Sequence, residues 1–125
     1  MRTQRLRTRA QFQALLTKPA SARTAHFALH RLPPAALGEW LGAPDAVWIG
    51  AMAPKRWARR AVTRNAVRRQ IYAVVDGLVP PLAPGAYLVR LRAAFAPPQF
   101  PSASSTALKR ALRAELQQLL AKISA

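Results

Sequence analysis

The sequence predicts an α+β fold: a small four-stranded sheet with helices packed on one face, ordered helix, strand or strands, helix, strand, helix. Three observations predict it. Apolar residues recur at helical spacing in some stretches and alternate in strand fashion in others. Clusters of Pro and Gly separate these stretches. At 51% hydrophobic residues, the 125-residue chain has the material for one core.

The first helix is expected from Thr8 to about Lys18. Thr8 and Gln11 have capping-box spacing, Phe12, Leu15 and Leu16 form an apolar stripe, and Pro19 blocks continuation. From Thr24 to Leu32 the pattern becomes strand-like. Phe27 and Leu29 fall on one face, and His26, Ala28, His30 and Leu32 on the other. Residues 33–45 hold Pro33, Pro34, Gly38, Gly42 and Pro44 and read as a loop with a helical turn near Ala35–Leu41. Val47 to Ala53 predicts a second strand, ended by Pro54.

A basic connection from Lys55 to Arg60 leads into a helix expected from Ala61 to Gly77, with Val67, Ile71, Val74 and Val75 as its apolar seam. After Pro80, Pro81, Pro84 and Gly85, Ala86 to Arg92 alternates as a half-buried strand. Pro97, Pro98 and Pro101 form a stiff connector. The last helix, capped by Ser104 or Ser105, carries Leu108, Leu112, Leu116, Leu119, Leu120 and Ile123 on one side. Residues 1–125 are expected to form a single domain, with 1–7 as a flexible basic arm carrying Arg5 and Arg7.

Charge narrows the function. Twenty Lys and Arg face four Asp and Glu, a formal net charge of +16. Such self-repulsion implies a polyanionic partner. Sixteen of the cations are Arg, whose planar fork suits phosphate and whose flat face stacks on bases. The absence of Cys excludes disulfides, thiolate zinc sites and cysteine nucleophiles, and fits a cytoplasmic location. No apolar run approaches the roughly 20 residues that span a bilayer, so no membrane association is expected. The first sixteen residues share an Arg-rich, acid-free composition with organellar transit peptides, but the capping box favours a helix of the domain.

The four acids, Glu39, Asp45, Asp76 and Glu115, are scattered, with no local spacing that suggests a metal site, and Asp76 and Glu115 read as surface charges. His26 and His30 lie on one strand face and lack a nearby third ligand, so they read as exposed polar residues. The chain reads as a binder without catalytic residues of its own. On the central helix, Asn65, Arg68, Arg69 and Tyr72 fall within about 100° of one another, away from the apolar seam. Arg59, Arg60 and Arg64 extend that charge, and no interleaved acid neutralises it.

This arrangement resembles the protein component of bacterial ribonuclease P. In that family a strand ends in a basic pair, then comes a basic loop, then a helix opening on Arg-Asn-Arg. The counterparts are Lys55-Arg56, Arg59-Arg60, Arg64-Asn65-Ala66 and Arg68-Arg69. Leu6 to Phe12, Phe27 to His30, Ile49-Gly50 and Tyr87 to Arg92 continue the match in order. Four positions depart: Ala66 replaces the second motif arginine, Tyr72 a frequent basic residue, Leu16 an aromatic and His30 a tyrosine.

The resemblance implies an accessory subunit of an endoribonuclease whose catalysis is carried by RNA. Magnesium would be bound mainly through the RNA subunit and substrate. The expected partners are the catalytic RNA and precursor tRNA with a 5′ leader, with no obligate protein partner. Lys55, Arg56, Arg59, Arg60, Arg64, Asn65, Arg68 and Arg69 would bind the RNA subunit, and Phe12, Ala28 and His30 would line the leader-binding cleft. The family also implies a left-handed crossover around the basic helix, against the usual preference. The alternative is a non-catalytic structural or ribosomal RNA-binding protein; a DNA-binding protein would leave the cleft unexplained.

Overall fold

The computed structural model describes residues 3–37, 46–95 and 106–123. In chain order the elements are β1 (Thr3–Arg5), α1 (Arg9–Leu16), β2 (Ala22–Arg23), β3 (Phe27–Leu32), a 3₁₀ turn (Pro34–Leu37), β4 (Val47–Met52), α2 (Ala61–Asp76), β5 (Gly85–Leu91) and α3 (Thr106–Ala121). The cap expected at Ser104 or Ser105, the connector through Pro97, Pro98 and Pro101, and the loop from Gly38 to Asp45 lie outside the described residues.

The sheet has five strands, in the order β1-β4-β5-β3-β2. β4 and β5 are parallel neighbours with α2 between them in sequence, and β3 pairs with β5 antiparallel. The two strands not located from sequence are the short edges. β1 runs parallel to β4, and the N–H of Leu6 donates to the carbonyl of Ile49 at 2.9 Å. The expected basic arm is therefore corrected: Thr3 to Leu6 are fixed to the sheet, and Leu6 is buried. Three polar residues held by backbone pairing leave no periodic trace in the sequence. β2 folds back on β3 through a turn closed by the N–H of Thr24 donating to the carbonyl of Phe27.

Helices cover both faces of the sheet, a second correction. α2 and α3 pack over the face made by Phe27, Leu29, Val47, Ile49, Tyr87, Val89 and Leu91. On the opposite face, α1 and the chain entering it bury Leu6 and Leu15 against Leu32, Trp48, Ala86 and Leu88. β4 and β5 are apolar on both sides, as central strands of a covered sheet are. A one-sided arrangement would have left Trp48 and Leu88 in water. Each large side chain so buried contributes about 1.5–3 kcal/mol.

The caps follow the local sequence. Thr8 Oγ1 accepts from the Gln11 N–H, while Gln11 Oε1 accepts from the N–H of Thr8, completing the expected capping box. Gly77 closes α2. Gly50 marks a close approach: a Cβ there would sit 2.5 Å from Leu6 Cδ1 and 3.0 Å from the Phe12 ring. The bare backbone of β4 lets the entry to α1 cross the sheet closely.

Candidate nucleic-acid interface

α2 is anchored by Val67, Ile71, Val74 and Val75, all buried, which fixes the direction of its outer side. Asn65 and Arg69 are exposed there, and Arg68 and Tyr72 half-buried. Arg68 Nη2 donates to Asn65 Oδ1 at 2.6 Å, tying the two polar groups into one unit. The guanidinium of Arg5 lies 4.0 Å from the centre of the Tyr72 ring. Arg5 reaches it because its register partner on β4 is Ile49, on the face that α2 covers. Together Arg5, Asn65, Arg68, Arg69 and Tyr72, with Ala73 and Asp76, line an open concavity of about 620 Å³. Arg5 was legible only as part of an arm; nothing in the sequence links position 5 to position 72.

The basic connection is a turn. The N–H groups of Trp57 and Ala58 both donate to the carbonyl of Pro54 at 3.1 Å, and Ala58 is buried. Lys55, Arg56, Arg59 and Arg60 remain exposed. Arg64 also has partners within the chain. Its Nη1 donates to the carbonyls of Ala58 (3.0 Å) and Arg59 (2.7 Å), folding the guanidinium back onto the loop. The other motif cations are displayed, while Arg64 shapes the loop that displays two of them.

On the opposite face, the register sets Met52, Arg90, Ala28 and Arg23 in one row across four strands. Ala28 is wholly buried and forms floor; the exposed chemistry of the row comes from Arg23 and the half-exposed Arg90. Phe12 is half-buried at the α1 side. His30, one row further along, is only 4% exposed, so the expected exposed polar position is corrected. It sits between the carbonyl of Lys18 and the Arg90 side chain, at 2.9 Å from each. Partial burial, then the cations Arg23, Arg92 and Arg56, lower the proton affinity of Arg90. An anion in this row would relieve that crowding.

His26 does not share the face of His30. It precedes β3 and turns towards α3, where Glu115 Oε1 lies 2.7 Å from its Nδ1. Glu115 Oε2 accepts from the His26 N–H and from Thr24 Oγ1, each at 2.6 Å. Burial would raise the Glu115 pKa, but the bonds from Thr24 and His26 outweigh it and hold the carboxyl below its ordinary value. Glu115 is thus a tether between α3 and the β2–β3 turn, not the surface charge expected. The Phe95 ring stacks on His26, with centroids 3.9 Å apart.

The fold and its two cationic surfaces define a class: an α+β binder of a polyanionic chain, with an acid-poor helix face on one side of the sheet and an arginine row on the other. The particular family follows from similarity. The Ribonuclease P family model matches residues 1–124. The chain is 34% identical to the ribonuclease P protein component of Bordetella parapertussis over 120 residues, 96% of this chain and 91% of that protein. It is 32% identical to the component from a Nostoc species over 99 residues, 68% of this chain and 70% of that one. The chain belongs to the ribonuclease P protein family. Its fold matches the RNase P protein of Staphylococcus aureus with a TM-score of 0.69 at 19% identity, covering 96% of this chain and 94% of that one.

Proposed function

We propose that the α2 strip and the 54–60 turn grip the catalytic RNA, and that the opposite sheet face receives the 5′ leader of precursor tRNA. Membership of the family makes this chain a protein component of ribonuclease P, an endoribonuclease that matures the 5′ end of tRNA and whose catalysis belongs to RNA. The observation that carries the assignment of surfaces is the strip Asn65, Arg68, Arg69 and Tyr72, joined by Arg5 and held outward by a buried seam, with Asp76, among the described residues, the one acid beside three arginines. A rigid array of guanidinium groups binds phosphates without first ordering flexible side chains.

Lys55, Arg56, Arg59 and Arg60 extend this surface to the turn. Phe12 offers a ring for a leader base, and Arg90 and Arg23 offer charge for its phosphates, over the floor made by Ala28 and His30. Among the described residues no three His, Cys, Asp or Glu side chains gather to hold a metal ion. Because catalysis belongs to the RNA, magnesium is held mainly through the RNA subunit and substrate, and the protein's part is to bind, orient and screen charge. No helix among the described residues is long and apolar enough to cross a membrane, and the cytoplasm, with its tRNA precursors, is the compartment this role requires.

The test is cleavage of precursor tRNA by a bacterial ribonuclease P RNA at low magnesium, with and without the purified chain. Restored cleavage at the mature 5′ end, dependent on the RNA, is expected. Binding to the RNA with cleavage still at background would favour a structural RNA-binding protein.

A further inference from the structure

His30 makes two hydrogen bonds that together define its protonation state. A carbonyl oxygen only accepts, so the 2.9 Å contact with Lys18 requires a proton on Nδ1. A guanidinium only donates, so the 2.9 Å contact with Arg90 Nε requires a lone pair on Nε2. The ring is the neutral Nδ1–H tautomer. Burial disfavours its charged form, the Lys18 carbonyl opposes that effect, and the charges of Arg90 and Arg23 add to it.

The geometry sets the other end of this hydrogen-bonded chain in the open. Arg90 spends its Nε–H on His30, and among the described residues its two η nitrogens have no hydrogen-bond partner. Arg23, exposed on the neighbouring side of Ala28, shares the same row. A guanidinium clamped at Nε keeps its Nη pair as a fork for a phosphate, with the rotamer entropy of a long side chain already spent.

We propose that neutral His30 is a positioning residue for substrate: it clamps Arg90 at Nε so that the Nη edge receives a phosphate of the single-stranded 5′ leader. This rests on reading the open sheet face as the leader cleft. The linkage runs from the end of α1 through the imidazole to the guanidinium, so docking of α1 and orientation of Arg90 are coupled. Protonation of His30 would remove the acceptor and set a cation against Arg90. Arg90 on β5, Arg23 on β2 and the main-chain carbonyl of Lys18 after α1 are the groups that face the ring.

Two measurements separate the clamp from the cleft. In ¹⁵N-resolved spectra of the imidazole at neutral pH, the clamp requires a protonated Nδ1 and an unprotonated Nε2. A ring protonated at Nε2 would overturn it, whatever the face binds. Holoenzyme affinity is then compared for precursor tRNA and tRNA without a leader, using Arg90→Ala, His30→Leu and the double variant.

Arg90→Ala should weaken precursor binding about tenfold and leave leaderless tRNA unchanged. In the His30→Leu background the same change should cost less than about threefold, since the clamp is already absent. Equal loss for both tRNAs would overturn the cleft reading; full additivity with a leader-specific loss would overturn the clamp alone. His30→Gln, with a side-chain oxygen able to accept from Arg90, should recover part of the affinity that His30→Leu removes. Urea midpoints identify any variant whose loss is one of folding, and for an unfolded His30→Leu the cycle is run with His30→Phe, whose ring offers Arg90 no acceptor, so that full additivity again overturns the clamp.

Discussion

The Arg5 guanidinium stacks over the Tyr72 ring at 4.0 Å, joining the first strand of the sheet to the outer side of α2. Tyr72 seats on the helix strip a guanidinium that comes from another element. The strip thus draws charge from the first strand as well as from α2.

This relationship yields a first prediction. Arg5→Ala and Arg68→Ala should each weaken binding to the catalytic RNA and reduce the slope of log K against log salt by about 0.7–0.9 for each phosphate the variant no longer neutralises. Tyr72→Ala should reproduce part of the Arg5 effect, because it removes the ring that orients the guanidinium. Titrations of RNA affinity against potassium chloride check this. An unchanged slope for Arg5→Ala would exclude it from the interface.

Arg64 should behave differently from its neighbours. Its bonds to the carbonyls of Ala58 and Arg59 predict that Arg64→Ala lowers stability by about 1–2 kcal/mol, read as a lower urea midpoint. Arg69→Ala, on an exposed side chain, should leave the midpoint unchanged and weaken RNA binding only. Arg64→Lys should restore stability only in part, since both bonds come from the one nitrogen Nη1 and the lysine ammonium, though it has donors for two carbonyls, ends one bond short of that position.

Phe12→Ala should weaken precursor tRNA binding while sparing tRNA that lacks a leader. Stacking of one base on an aromatic ring is worth about 1–3 kcal/mol. Because Phe12 also packs against the cluster around Leu15 and Leu88, a conservative Phe12→Leu variant separates the ring from the bulk. Equal weakening for both tRNAs would rule out a leader role for Phe12.

Glu115 predicts an acid limb of stability. Its folded pKa lies below the ordinary value of 4.5, so its contribution is fully present above that pH and is lost as pH falls through the folded value. Thermal melts from pH 6 downwards should show the decline, and Glu115→Gln should flatten it at a cost of about 2 kcal/mol near neutrality. A variant with the same acid limb as the parent would show that the tether does not set it.

Legibility differed sharply between elements. The capping box at Thr8, the seam of α2 and the leucine face of α3 were readable because each is set by residues within a few turns of one another. The alternation in Phe27 to Leu32 likewise placed Phe27 and Leu29 opposite Ala28, His30 and Leu32. β1, by contrast, is three polar residues defined by the backbone of β4, and β2 is shorter still. His26 and His30 looked equivalent in sequence. One meets a carboxylate from α3, 89 residues away, and the other the end of α1 and a guanidinium on β5.

By itself the sequence determined that this chain binds a polyanion, which helix displays the charge, and, through its resemblance, the enzyme it serves. Composition and short-range periodicity carry that information, since net charge and helical spacing do not depend on how distant segments meet. Only the tertiary structure decided that Arg5 completes the helix strip, that Arg64 shapes a loop, that Glu115 is a tether, and that His30 and Arg90 act as a pair. Each of these depends on strand register and on which face a helix covers, and both are fixed by the burial of Trp48, Leu88 and their neighbours on the two sides of one sheet.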